Sequence, residues 1–135
     1  GDSSWKIAAE KICLVSEKER MALIDLRKVK DSGANALSER AQIIDKATDS
    51  LERAVNALAA LTISDAKGQA LVPLWLKDYR THISDRRGYT EKLRSGVNKP
   101  FSETVIEGLP ISEKIATFAA DNAISSCAPP IDLSV

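Results

Sequence analysis

The residues best suited to chemistry lie in one dense polar stretch, WLKDYRTHISDRRGY, at residues 75–89. Alternating steps of four and three residues place five of its side chains along one side of a helix: Trp75, Tyr79, His82, Arg86 and Tyr89. His82 is the only histidine of the chain, and it is flanked by Asp78 and Asp85. Either carboxylate could orient the imidazole and raise its pKa, which would create an acid–base site.

The same stretch also fits two other interpretations. An anionic ligand could meet Arg86 and Arg87 beside His82, at the polar edge that includes Tyr79. Alternatively, a stripe of Trp and Tyr on a helix is usually core, and a lone histidine beside carboxylates is usually a solvated surface residue. The structural interpretation is favoured, and Tyr79, His82, Arg86 and Arg87 are retained as candidate binding residues, with no residue assigned as catalytic.

Motifs for metal, cofactor or nucleophile chemistry are absent from the sequence. A di-iron bundle needs Glu-x-x-His pairs, and a zinc site needs about four close ligands, which two separate cysteines and one histidine do not supply. There is no C-x-x-C, G-x-S-x-G, P-loop or G-x-G-x-x-G pattern. A Cys–His nucleophilic pair would need an orienting group and an oxyanion hole, for which there is no sign. No metal and no cofactor are expected.

Composition restricts the class of protein and of partner. A chain of 135 residues, 44% hydrophobic and 28% charged, is expected to form one globular domain. Lys+Arg and Asp+Glu each total 19, and only 4% of residues are aromatic, so nucleic acid is not an expected partner. No apolar run is long enough to span a membrane. The start GDSSW suggests a trimmed chain, with residues 1–3 as a tag scar or linker; removal of a signal peptide or membrane anchor is one reason for such a start, and the choice of the expressed segment is another.

The positions of proline and glycine divide the chain into four segments with helical periodicity. Segment one, about 4–30, has a stripe built on Trp5, Ala8, Ile12 and Val15, widened by Ile7, Leu14 and Met21, and is expected to stop at residues 31–33. Segment two, about 34–61, has a stripe of Leu37, Ile44, Ala47, Leu51, Ala54, Leu58 and Leu61. An Asp49–Arg53 pair on its outer side is a local stabiliser.

The second half of the chain contains all five prolines. Segment three is predicted to run from a cap at Ser64 or Asp65 to residues 95–96, with a kink at Pro73; a start near Val72 is the alternative. Segment four is predicted over 112–126, capped by Ser112. The loop 98–110 should fold Phe101, Val105 and Ile106 onto the bundle, and Ile131 and Leu133 should do the same for the C-terminal tail, residues 128–135.

Amphipathic helices joined by short turns bury their apolar faces against each other. The sequence therefore predicts an all-α, up-down four-helix bundle in a single domain, with a kinked third helix and a shorter fourth helix. Segments one and two could also pack on a partner helix, but stripes this broad favour packing on each other. Strands are not expected.

The two cysteines, Cys13 and Cys127, lie near opposite ends of the chain. In an up-down bundle the end of helix four lies near the start of helix one, so the two thiols come within bridging range. A disulfide is favoured over two separate reduced thiols, and it would favour an oxidising compartment.

Several stretches together carry a family resemblance: ICLVSEKERMALIDL at 12–26, DYRTHISDRRGYTEKLRSG at 78–96, PFSET at 100–104 and the late Cys127. In the types of their residues and in their spacing, these stretches resemble small helical extracytoplasmic proteins of actinobacteria, which are often lipoprotein-like or membrane-anchored. The resemblance implies a cell-envelope location and supports the disulfide. It supplies no catalytic residues.

Three functions are compatible with these features. The first is a non-enzymatic extracytoplasmic bundle that binds a protein or small ligand at the cell envelope, through the polar edge around His82, Arg86 and Arg87 and the loop 98–110. The second is a sensory input domain of a membrane protein, whose helices shift when a ligand binds. The third is a small enzyme that uses His82 with Asp78 or Asp85. The first is favoured.

Overall fold

The computed structural model describes residues 3–23 and 35–133. Within them the chain forms four α-helices: α1 (Ser3–Met21), α2 (Ala36–Ala59), α3 (Ala66–Arg94) and α4 (Ile111–Asp121). A short antiparallel hairpin, β1 (Val105–Ile106) with β2 (Leu109–Pro110), and a 3₁₀ turn, Ser125–Cys127, are the remaining elements of these residues. The predicted all-α, four-helix class is confirmed, and the expected stop of segment one at 31–33 lies outside the described residues.

The buried face of α1 is rotated by one residue from the predicted stripe. Cys13 and Ser16 are buried, whereas Val15 is 61% exposed. Small residues let α1 approach α2 closely, and the hydroxyls of Ser16 and Ser50 share a hydrogen bond of 2.9 Å. The predicted stripe holds at Trp5, which is buried, and at Ile12, which packs against the core, but it was wrong at Val15, whose expected place is taken by Ser16.

The predicted stripe of α2 is confirmed, because its central residues are buried: Ile44, Ala47, Leu51, Ala54 and Leu58. The polar residues on the outer side of the helix pair differently from the expectation. Asp49 pairs with Arg87 of α3 at 2.7 Å, and Arg53 pairs with Glu19 of α1 at 3.2 Å. Both residues of the predicted local pair therefore connect α2 to a neighbouring helix.

The predicted start of the third helix after a cap at Ser64 or Asp65, instead of near Val72, is confirmed. Asp65 caps α3, since its carboxylate accepts a hydrogen bond from the Gly68 amide at 3.1 Å, and Pro73 lies inside the helix. The helix ends in a Schellman motif, in which Gly96 has φ of 89° and Val97 N–H donates to Lys92 C=O at 2.9 Å. The kink at Pro73 stays a prediction.

The fourth helix is shorter than predicted at its end, and its cap is different. Ser112 does not cap α4, because its amide and hydroxyl both donate to the Glu103 carboxylate at 2.7 Å. After Asp121 the chain turns at Ala123, whose φ of 56° is left-handed, and Ile124 is buried against the helix. This turn separates α4 from the 3₁₀ turn, so Ser125 and Ser126 are not its last helical turn.

The loop 98–110 contains a hairpin that the sequence did not predict. Glu107 and Gly108 have φ of 52° and 79°, as a two-residue turn of the type I′ class requires. Pairing in this hairpin holds Val105 and Ile106 outside the core, so their predicted burial was wrong. Phe101 does pack inward, against Tyr89 of α3.

The main core joins all four helices and the 3₁₀ turn. Aromatic rings from three helices meet in it, with Trp75 stacked on Phe118 at 4.7 Å and Trp5 edge-on to both. The Cys13–Cys127 disulfide is present and connects α1 to the 3₁₀ turn. Beside it, the Glu10 carboxylate accepts hydrogen bonds from the Ser126 amide and hydroxyl at 3.0 and 2.7 Å. The two ends of the described chain are therefore fastened together.

Candidate functional site

The polar stripe of α3 faces inward. The five side chains that the sequence placed on one side of this helix are all buried: Trp75, Tyr79, His82, Arg86 and Tyr89. Their interpretation as part of the core is confirmed. The expectation of a solvated histidine was wrong, since His82 is only 2% exposed.

Arg86 links α3 to α2 and to the tail, a name that we use from here for residues 128–133. Its guanidinium is fully buried and donates two hydrogen bonds to the Asp132 carboxylate, at 2.8 and 3.0 Å. Its Nε donates to the Thr48 hydroxyl of α2 at 2.9 Å. The two hydrogen bonds to Asp132 form the bidentate arrangement that a guanidinium and a carboxylate prefer, so Arg86 holds the tail in one position.

The His82 ring lies between two aromatic side chains. Tyr79 and Phe101 contact it edge-on, with ring centroids at 6.4 and 5.9 Å. Burial, followed by the nearby charge of Arg86, holds the pKa of His82 below its usual value, against the opposing charges of Glu103, Asp85 and Asp132. At neutral pH the ring is therefore uncharged, with one nitrogen a donor and the other an acceptor. Neither nitrogen has a hydrogen-bond partner among the described residues.

Tyr79, which contacts the His82 ring, is also uncharged. Burial raises the pKa of Tyr79 to about 12, although the charges of Arg20 and Arg86 act in the opposite direction. The phenol therefore stays protonated at physiological pH. The structure brings together three of the four candidate binding residues, since Tyr79 contacts His82 edge-on and His82 and Arg86 line the same cavity beside the tail.

Two cavities lined by described residues border the tail, and both include Pro129, Pro130 and Ile131 in their walls. The larger cavity, of about 430 Å³, lies between α1, α2 and the tail, and Arg20, Ile43 and Ala47 are among its lining residues. The smaller cavity, of about 200 Å³, lies between α3, α4, the loop 98–110 and the tail. Its wall contains both polar and apolar residues, including His82, Arg86, Phe101, Glu103, Ala116 and Leu133.

The two carboxylates that flank His82 in sequence have other partners. Asp78 pairs with Lys114 of α4 at 3.4 Å. Asp85 accepts hydrogen bonds from the amide and hydroxyl of Thr104, at 2.7 and 2.9 Å, which attaches the loop 98–110 to α3. Neither aspartate orients the imidazole, so both act as connections between elements.

Arg87, the fourth candidate, lies apart from this cluster. It is partly exposed and pairs with three carboxylates of α2, those of Asp45, Asp49 and Glu52. Partial burial disfavours its charge, but the hydrogen bond to Asp49 and the surrounding carboxylates outweigh that effect and raise the pKa of Arg87. Its guanidinium is already neutralised, and it contributes to the contact between α2 and α3.

Two acidic residues that lie near His82 and Arg86, namely Asp132 and Glu103, were not identified from the sequence. Asp132 is the only charged residue of the tail and lies between Ile131 and Leu133, which was an available signal for a buried partner. Ile131 itself is 83% exposed, so its predicted packing was wrong, whereas Leu133 does pack against the bundle. Nothing in the local sequence distinguishes Glu103 from a surface glutamate.

Comparisons with protein-family models, curated proteins and solved structures find no match to this chain. No described helix is long and apolar enough to cross a membrane. Across residues 3–23 and 35–133, no group of three or more His, Cys, Asp or Glu side chains is placed to hold a metal ion. The candidate site must therefore be interpreted from its own geometry.

Proposed function

We propose that this chain is an extracytoplasmic helical domain that binds a small ligand in the smaller cavity, beside His82 and the tail, and does not catalyse a reaction on it. The single observation that carries the proposal is the His82 ring, which is buried, uncharged and without a hydrogen-bond partner in the wall of that cavity. Buried polar groups in folded proteins nearly always have a partner, so an unpaired one suggests a function.

Other buried polar side chains nearby do have partners. Arg86 bonds to Thr48 and Asp132, and Thr90 donates to Asp45 at 2.7 Å. A ligand that reached His82 would meet one donor and one acceptor, so a hydroxyl or an amide, which both donate and accept, would suit it, and a carboxylate could accept from the ring N–H alone. Phe101 and the tail prolines offer apolar contacts around the same cavity. These features support binding of a small molecule that is polar at one end.

The engagement of Asp78 and Asp85 elsewhere supports a binding role over an acid–base role. A histidine that acts as a general base is usually oriented by a hydrogen bond on its second nitrogen. Here Lys114 and Thr104 occupy the two aspartates that the sequence had offered for that purpose.

The proposed extracytoplasmic location is supported by the Cys13–Cys127 disulfide, because such bonds persist mainly in oxidising compartments. The resemblance to actinobacterial envelope proteins points in the same direction. Mass spectrometry of protein isolated from its native cells with thiols trapped at lysis should show an oxidised pair. Two alkylated thiols would contradict this location.

Ligand binding is tested best through His82 itself, since a chain with one histidine gives an unambiguous imidazole ¹⁵N signal. We expect titration with small alcohols, amides and carboxylates to give a saturable shift of this signal for at least one class. Ala116→Phe, which adds bulk to the smaller cavity from α4, should abolish that shift.

The matched control is Ala120→Phe, which adds the same bulk at an exposed position of α4. It should bind like the unmodified protein. The proposal fails if no class of compound gives a saturable shift, or if Ala116→Phe binds as well as Ala120→Phe.

A further inference from the structure

Helix α1 has two apolar faces on opposite sides. One is buried and includes Trp5, Ala9 and Cys13. The other, which we call the outer face, carries large exposed side chains: Ile7 at 60%, Leu14 at 37%, Val15 at 61% and Met21 at 60%. Positions seven apart return to nearly the same side of a helix, so Ile7, Leu14 and Met21 form one line along it.

Two lysines lie in the middle of the outer face. Lys11 and Lys18 are exposed and lie four residues after Ile7 and Leu14, between the line of these apolar residues and the side chain of Val15. The acidic residues of α1 lie at the edges of this face, and two of them have partners on other elements. Glu10 bonds to Ser126, and Glu19 bonds to Ser50 and Arg53. Glu17 and Met21 both line the larger cavity, so Met21 marks the end of the outer face.

We propose that the outer face of α1 is the docking surface for an acidic amphipathic helix of a partner protein. The apolar line and the lysines alternate as the contact positions of a two-helix seam do. A partner helix with apolar residues at the same spacing would cover Ile7, Leu14 and Met21, and carboxylates between them would meet Lys11 and Lys18. Charge complementarity then selects the partner and its register.

Two other occupants fit this face less well. A second copy of the chain would bring the lysines of one α1 against those of the other, and like charges in a seam are destabilising. If α1 lay on a lipid surface, its exposed apolar side chains would enter the membrane, and the lysines would have to lie beside that row of side chains. Lys11 and Lys18 instead lie within it, between the line of Ile7 and Leu14 and the side chain of Val15.

The direct test uses a synthetic helical peptide with leucine at every seventh position and glutamate four residues after each leucine. We expect it to bind the full chain, as measured by fluorescence anisotropy, and we expect a peptide with lysine in place of glutamate not to bind. Lys11→Glu with Lys18→Glu should reverse this preference. Ile7→Ser with Met21→Ser should weaken binding of the acidic peptide by about tenfold or more.

The matched controls are Leu74→Ser and Lys92→Glu, which change an exposed apolar and an exposed basic residue of α3. Both should leave peptide binding unchanged. The proposal is overturned if neither peptide binds, or if the charge reversal leaves the preference as it was. It is also overturned if sedimentation shows a dimer through this face, or if phosphatidylglycerol vesicles bind the chain and the acidic peptide does not. These outcomes are independent of His82 and of the smaller cavity.

Discussion

Arg86 and Arg87 are consecutive residues of α3, yet their surroundings differ in almost every respect. Arg86 is fully buried and has one carboxylate partner, Asp132, on the tail. The Arg87 side chain is 33% exposed and has three carboxylate partners, all on α2. Exposed pairs contribute little because water screens them, whereas removing one partner of a buried pair leaves a charge without solvent. The arginine with fewer partners is therefore expected to matter more.

The two arginines also differ in what they connect. Arg87 bridges α2 and α3, which already share a large apolar interface that includes Leu51 and Ile83. Arg86 fastens a short tail whose apolar contacts with the two core clusters come from the partly buried Ala128 and Leu133. We therefore expect the surrounding core to compensate for loss of Arg87, and we expect loss of the Arg86–Asp132 pair to loosen the segment that borders both cavities.

The largest expected effect comes from breaking the buried pair on its tail side. Asp132→Ala leaves the Arg86 guanidinium buried with Thr48 as its remaining hydrogen-bond partner among residues 3–23 and 35–133. We expect the free energy of unfolding, measured by urea denaturation, to fall by roughly 3–5 kcal/mol.

A second substitution separates the loss of the pair from a general weakening of the tail. Arg86→Met in the Asp132→Ala background removes the uncompensated charge and keeps a long apolar side chain in its place. The double variant should be more stable than Asp132→Ala alone. A cost below about 1 kcal/mol for Asp132→Ala would mean that water reaches Arg86 and that the comparison with Arg87 does not hold.

The next largest effect concerns the disulfide that precedes the tail. Cys13→Ser with Cys127→Ser should lower the free energy of unfolding by about 3 kcal/mol, the typical value for a disulfide, which is below the about 4.7 kcal/mol that chain entropy alone gives for a loop of about 100 residues. It should also reduce the cost of Asp132→Ala, since a released tail meets Arg86 less often. The cost of Arg87→Ala should stay the same. An unchanged cost of Asp132→Ala would show that the tail is held independently of the bridge.

The contrast between the two arginines also shows what a sequence can predict here. The stripe of α2 was predictable because Ile44, Leu51 and Leu58 repeat at helical spacing and each meets an apolar core. The burial of Arg86 and the partial exposure of Arg87 were not predictable, because the partners of both residues lie far away in sequence. The place of Ser16 on the buried face of α1 was missed for the related reason that Ser16 is buried through a polar contact with Ser50. Local periodicity records burial of apolar groups, and long-range polar pairing leaves little trace in it.

The side of α3 that carries Arg86 should also be the pH-sensitive side. Burial lowers the pKa of His82 in the folded state, so the unfolded chain binds more protons once the pH falls below about 6.5. Stability should be complete above that pH and should decline below it, by at most about 1.4 kcal/mol per pH unit, until the folded histidine is protonated. Urea denaturation between pH 5 and 8 measures this slope.

Replacement of the histidine identifies the group responsible. His82→Phe keeps an aromatic ring between Tyr79 and Phe101 but cannot take up a proton. In this variant the free energy of unfolding should vary less with pH over the same range, because the contribution of the histidine to the slope is removed. A slope identical to that of the unmodified protein would assign the pH dependence to another group.

The smallest effect is expected for Arg87→Ala, which removes a partly exposed guanidinium from its three carboxylates. We expect the free energy of unfolding to fall by about 1 kcal/mol or less in low salt. The loss should shrink further in high salt, because mobile ions screen partly exposed charges, whereas the cost of Asp132→Ala should change little. Part of the loss reflects repulsion among Asp45, Asp49 and Glu52, which no longer share a cation.

Neutralising one of those carboxylates provides the control for that repulsion. Asp49→Asn in the Arg87→Ala background should recover part of the lost stability, because two negative charges repel less than three. If Arg87→Ala instead costs as much as Asp132→Ala, and does so equally at low and high salt, then exposure does not separate the two arginines. The contact between α2 and α3 would then depend on this ion-pair network as much as on its apolar core.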